Sequence, residues 1–95
     1  MATKVGLLHL DVMVGDAMTL KDKRRIVKSF KDRMAHNRNV SIAEVDHLES
    51  IRRCVLAVAM VANDARHLES SLQQVVNAAR IHRGWVLLDY ELEVL

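Results

Sequence analysis

The chain has 95 residues, 51% of them hydrophobic, and a formal net charge of +2. That is the size of one domain with one modest core, since single cores usually belong to chains of about 50–200 residues, and it is too apolar for a disordered segment. A single cysteine, Cys54, excludes an internal disulfide framework and fits a reducing compartment. No stretch approaches the roughly 18 uninterrupted apolar residues of a membrane span.

The opening residues, MATKVGLLHLDV, lack the long apolar core and small-residue cleavage site of a secretion signal. A cytoplasmic protein with no membrane association is therefore expected. Residues 5–14 read as a first strand, with Leu8, Leu10 and Val12 alternating with His9, Asp11 and Met13. Gly15 and Asp16 mark a turn, and Thr19 with Asp22 forms a capping-box pattern that opens a helix over 20–36. Leu20, Ile26, Val27, Phe30 and Met34 make its apolar stripe.

Residues 40–46 and 53–62 read as a strand pair joined by a short connection. Asn63 or Asp64 caps a second helix over 65–82, with Leu68, Leu72, Val75, Val76 and Ala79 inward and Gly84 beyond its end. Residues 85–95 form a last strand, in which Leu88, Tyr90, Leu92 and Val94 alternate with Asp89, Glu91 and Glu93. The order βαββαβ, with right-handed crossovers, predicts an α+β ferredoxin-like domain over residues 1–95: a four-stranded antiparallel sheet with two helices on one face.

Charge is distributed unevenly along this plan. Residues 19–39 hold eight Lys/Arg against two Asp, a net of +6, while the rest of the chain holds six Lys/Arg against ten Asp/Glu, a net of −4. At 100° per residue, Lys21, Arg24, Arg25, Lys28 and Lys31 fall on one arc of the first helix, separate from its apolar stripe. Such an arc fits phosphates, most simply an RNA backbone; the bland alternative is a solvated face balanced by acids elsewhere. Lys23 lies on the apolar side and reads as a snorkelling stem.

Aromatic readout of bases would need aromatic residues on the exposed faces of the first and third strands. The only aromatics are Phe30, Trp85 and Tyr90, and none lies on those strands. The third strand instead turns Val55, Ala57, Ala59 and Val61 away from the helices, beside Ala43 and Val45. So apolar an open face predicts a homodimer or a platform for a partner.

The segments MTLKDKRRIVKSFKDRM, NVSIAEVDHLES, CVLAVAMVANDARHLESSL and LLDYELEVL, above all LKDKR, VSIAEVDH and DYELEVL, resemble the YlxP-like family of small bacterial proteins. The likeness spans nearly the whole chain and departs from the family at residues 81–85. It implies a ferredoxin-like domain of the bacterial cytoplasm, without a settled activity, whose genes often accompany those for translation initiation and ribosome maturation.

The resemblance also singles out Glu44, Asp46 and His47, with Glu49, as a polar group at the tip of the central hairpin. Carboxylates and an imidazole could bind a metal or move protons. Yet no ligand spacing is present, so a tip whose Asp46 bonds local backbone amides is the simpler reading. His9 and Asp11, facing Asp89, Glu91 and Glu93, read as solvated edge charges. Cys54 reads as an inert core thiol, and His36, His67 and His82 as scattered residues near helix ends.

No catalytic residue, metal or cofactor is therefore expected. The expected function is non-enzymatic binding of ribosomal or other RNA phosphates by the basic helix, in a translation-related role. The alternative is a dimeric interaction or regulatory module that binds a protein partner or small ligand at its sheet face.

Overall fold

A computed structural model describes all residues, 1–95. The elements run β1 (Lys4–Met13), α1 (Leu20–Asn37), β2 (Ser41–Asp46), β3 (Arg53–Ala62), α2 (Ala65–Arg80) and β4 (Val86–Val94). They form one antiparallel sheet in the order β2-β3-β1-β4, as the ferredoxin-like pattern requires. Both helices cover one face, and no helix is long and apolar enough to cross a membrane.

Strand alternation builds the core. Leu8, Leu10 and Val12 of β1 and Cys54, Leu56, Val58 and Met60 of β3 are buried beneath the helices. Val27, Phe30 and Met34 descend from α1, and Leu68, Leu72, Val75, Val76 and Ala79 from α2. The close seat of α2 depends on Gly6, where a Cβ would lie 2.6 Å from Leu72 Cδ1. Local capping sets where the helices start: Thr19 and Asp22 complete a reciprocal capping box, and the Asp64 side chain accepts the His67 amide.

Two register shifts amend the strand readings. On β4 the shift against β1 falls between Asp11 and Val12, so Leu87 pairs with Val12 and Leu88 becomes the extra residue, 45% exposed rather than inward. On β2 the shift between Glu44 and Asp46 leaves Val45 as the extra residue, 48% exposed. It also puts Glu44 opposite Leu56, on the helix-facing side of the sheet.

Candidate nucleic-acid interface on the first helix

The capping box that starts α1 also sets the state of its acids. Asp22 Oδ2 accepts the amides of Met18 and Thr19 at 3.0 and 3.2 Å. Those backbone bonds, the Met18 one foremost, hold the Asp22 carboxyl below the usual carboxylate range. Its other oxygen lies 3.5 Å from Arg25, and Lys28 pairs with Asp32 one turn on. Lys21, Arg24 and Lys31 have no carboxylate partner within ion-pair distance. The arc is thus partly neutralised by its own helix, and its free cations flank the paired ones.

Between α1 and β2 lies a shallow groove of about 290 Å³, lined by Arg24, Lys28 and Lys31 with Val27, Asp32 and Glu44. Glu44 would weaken the positive field there if it stood alone. It does not, because Lys23 approaches it from below at 2.7 Å. Lys23 is not a snorkelling stem: its side chain is 1% exposed, and its ammonium also donates to the His47 carbonyl at 2.7 Å. A buried ammonium needs such partners, since removing a charge from water unpaired costs several kcal/mol.

That bond joins the helix to the connection between β2 and β3. His47 adopts the left-handed conformation, with φ of 60°, its amide donates to Asp46 Oδ1 at 2.7 Å, and its carbonyl also accepts the Ser50 amide at 3.0 Å. The polar group expected at the hairpin tip is therefore dispersed. Glu44 points into the helix layer, Asp46 bonds the local backbone, and the His47 residue is exposed. LKDKR and VSIAEVDH meet through the Lys23–Glu44 pair and the Lys23–His47 bond, and Arg24 and Glu44 both line the groove above them.

Cys54 is fully buried beside this pair, and its thiol is pushed up to about 12 by burial first and by Glu44 second. At neutral pH it is held as the thiol, the less nucleophilic form. Across the whole chain, no group of three or more His, Cys, Asp or Glu side chains is placed to hold a metal ion.

His82 departs furthest from its expected role. It is 7% exposed and sits against Phe30 and Trp85, with ring centroids 5.2 and 4.5 Å away. The Trp85 indole N–H donates to the Ala79 carbonyl at 2.8 Å. Sequence pattern alone could flag Trp85 as core, but a histidine just past a helix end carries no periodic signal.

The opposite, open face of the sheet has the opposite charge. Across β1 and β4, His9 pairs with Glu91 and Asp11 with Asp89, while Arg53 holds Asp11 at 2.9 Å. The middle of that face is Leu7, Val55, Ala57 and Ala59, half-buried and with no aromatic among them.

These features define a ferredoxin-like α+β domain with a cationic helix layer and an acidic outer strand on the far face. Residues 5–92 match the family described as protein of unknown function, DUF503, and the chain belongs to that family. It is 29% identical over 72 residues to the uncharacterized protein YlxP of Bacillus subtilis (strain 168), covering 76% of this chain and 78% of that one. The resemblance carried by LKDKR, VSIAEVDH and DYELEVL is thereby borne out.

Among solved structures, the chain is similar in fold to a C-terminal segment of the alpha subunit of aIF2 from Pyrococcus abyssi. The TM-score is 0.52 at 13% identity, over 98% of this chain and 49% of that one. A putative antibiotic biosynthesis monooxygenase from Nitrosomonas europaea aligns with a TM-score of 0.52 at 7% identity, over 99% and 88% of the two chains.

Proposed function

We propose that this protein is a non-enzymatic binding domain of the bacterial cytoplasm that engages the phosphates of ribosomal or other RNA through α1, in a translation-related role. The observation that carries the reading is the row Lys21, Arg24 and Lys31, exposed or half-buried and unmatched by carboxylates, beside the exposed Arg25 and Lys28. Like charges spaced along one helix face repel and weaken the helix, so an external anion stabilises them. Lys23 supports the reading from beneath by offsetting Glu44 in the adjoining groove.

Without aromatics on the open faces of β1 and β3, binding is to the backbone and carries little base specificity. Fluorescence anisotropy with a ribosomal RNA fragment at two salt concentrations tests this. Affinity is expected to fall steeply with salt, by about 0.7–0.9 in log–log slope per phosphate contacted. Arg24→Gln with Lys31→Gln is expected to weaken binding and flatten that slope. Salt-insensitive binding, or none, defeats the reading.

A second reading is favoured by one feature of the sheet. Ala43, Ala57 and Ala59 give the centre of the open face a low relief, on which a second copy of the chain could pack at the usual sheet spacing of about 10 Å. Sedimentation at micromolar concentration decides it, with a strict monomer counting against self-association.

A further inference from the structure

The connection from α2 to β4, where the chain departs from the family likeness, builds a second cationic groove on the other flank of α1. It measures about 530 Å³ and is lined by Arg25, Ser29 and Arg33 of the helix and by His82, Arg83 and Gly84 of the connection, with Asp16 as the one carboxylate. Gly84 has φ of +99°, a conformation that side chains rarely adopt, and a Cβ there would lie 3.1 Å from Ile26. The turn that carries Arg83 to the groove thus depends on glycine.

His82 organises the groove. Its Nε2 lies 3.0 Å from the Ile26 carbonyl, which can only accept, so Nε2 carries the proton and Nδ1 offers a lone pair. Nδ1 lies 3.1 Å from Arg33 Nη2. Burial, the largest cause, keeps the imidazole below its ordinary pKa and neutral at pH 7, so the acceptor persists. One N–H of Arg33 is thereby fixed, and its other guanidinium donors have no partner in the chain, nor has any donor of Arg83 or the Ser29 hydroxyl. A planar fork held at one corner with its other donors free is suited to an oxyanion.

We propose that this groove binds a phosphate group, held by Arg33, Arg83 and Arg25 with the Ser29 hydroxyl, and that His82 is a positioning residue for Arg33. The proposal rests on the reading of α1 as a polyanion-binding helix and extends it. A backbone crossing α1 would meet Arg24 and Lys31 on one flank and Arg33 and Arg83 on the other.

Two arms separate an RNA phosphate from a free one. In the first, the full chain, labelled with 15N, is titrated with inorganic phosphate at constant ionic strength. Saturable shifts of the Arg33 guanidinium and of His82 Nδ1 are expected, the second reporting the bond that positions Arg33. The phosphate-dependent shift of His82 is expected to vanish in Arg33→Gln with Arg83→Gln. Arg83→Gln alone, which removes no contact within the chain, serves as the variant that cannot fail by misfolding, and it is expected to weaken phosphate binding.

In the second arm, the double variant is expected to lose about tenfold in RNA affinity, the scale of one charged hydrogen bond. If Arg24→Gln with Lys31→Gln weakens RNA binding while the groove variants do not, and phosphate moves neither resonance, the groove proposal is overturned and the helix reading stands. If phosphate shifts the groove but RNA binds nowhere, the groove is a site for free phosphate groups and the helix reading falls.

Discussion

Lys23 and Lys28 lie on the same helix, and each faces a carboxylate, yet their surroundings differ throughout. Lys28 and Asp32 are 73% and 62% exposed, one turn apart on a single helix. Lys23 and Glu44 are 1% and 16% exposed and come from different elements, with the His47 carbonyl completing the ammonium's shell. Water solvates the first pair whether or not it forms, so the bond contributes little. The Lys23 ammonium has no water to fall back on, so its pair with Glu44 ties the helix to the hairpin, and breaking that pair strands a buried charge. The comparison separates charge that holds the fold from charge left free for a ligand.

The largest break in that comparison is Lys23→Ala, expected to cost about 3–5 kcal/mol in denaturant unfolding because Glu44 and the His47 carbonyl lose their partner. Lys23→Met with Glu44→Leu is expected to recover most of the loss, since apolar residues of similar volume can replace a buried pair. A cost below about 1 kcal/mol for Lys23→Ala would show that the pair does not bind helix to hairpin.

A smaller effect comes from His82, buried without a carboxylate. Its pKa is lowered in the folded state from the ordinary 6.5, so the unfolded chain takes up a proton that the folded chain resists. Stability is therefore complete above about pH 7 and declines as pH falls below 6.5 toward the folded pKa. Thermal melts across that window are expected to show the decline in the native chain and not in His82→Phe, which keeps an aromatic ring but cannot be protonated. Asp22 does not confuse the window, because its contribution, present above the ordinary 3.8, is lost only as pH falls through its lowered folded pKa.

The smallest expected change is Lys28→Ala, within about 0.5 kcal/mol of the native stability. It sharpens the contrast because the same substitution is expected to weaken RNA binding measurably. Stability unchanged with affinity reduced marks a cation that serves a ligand rather than the fold.

Much of the architecture was legible along the chain. The alternation of β1 and β3, the capping box at Thr19 and Asp22 and the apolar stripes of both helices all matched the observed elements. The arc from Lys21 to Lys31 was legible too, because helical spacing places it without tertiary information. Lys23 and His82 were misread for a common reason: each is a polar residue with partners far along the chain. Lys23 bonds a carbonyl 24 residues on, and His82 one 56 residues back. The misplaced Leu88 has a different cause, since a bulge shifts alternation by one residue and leaves no mark in an apolar run such as VLL at 86–88.

The sequence by itself determined the element order, the sheet's inner and outer faces and the segregation of positive charge onto α1, because periodicity and capping act within a few residues. Only the tertiary structure decided which charges are free. It buried Lys23 against Glu44, turned Asp46 to a local backbone amide, and set His82 behind Arg33. Burial and long-range pairing fix the state of an ionisable side chain, and both exist only once the helices have closed over the sheet.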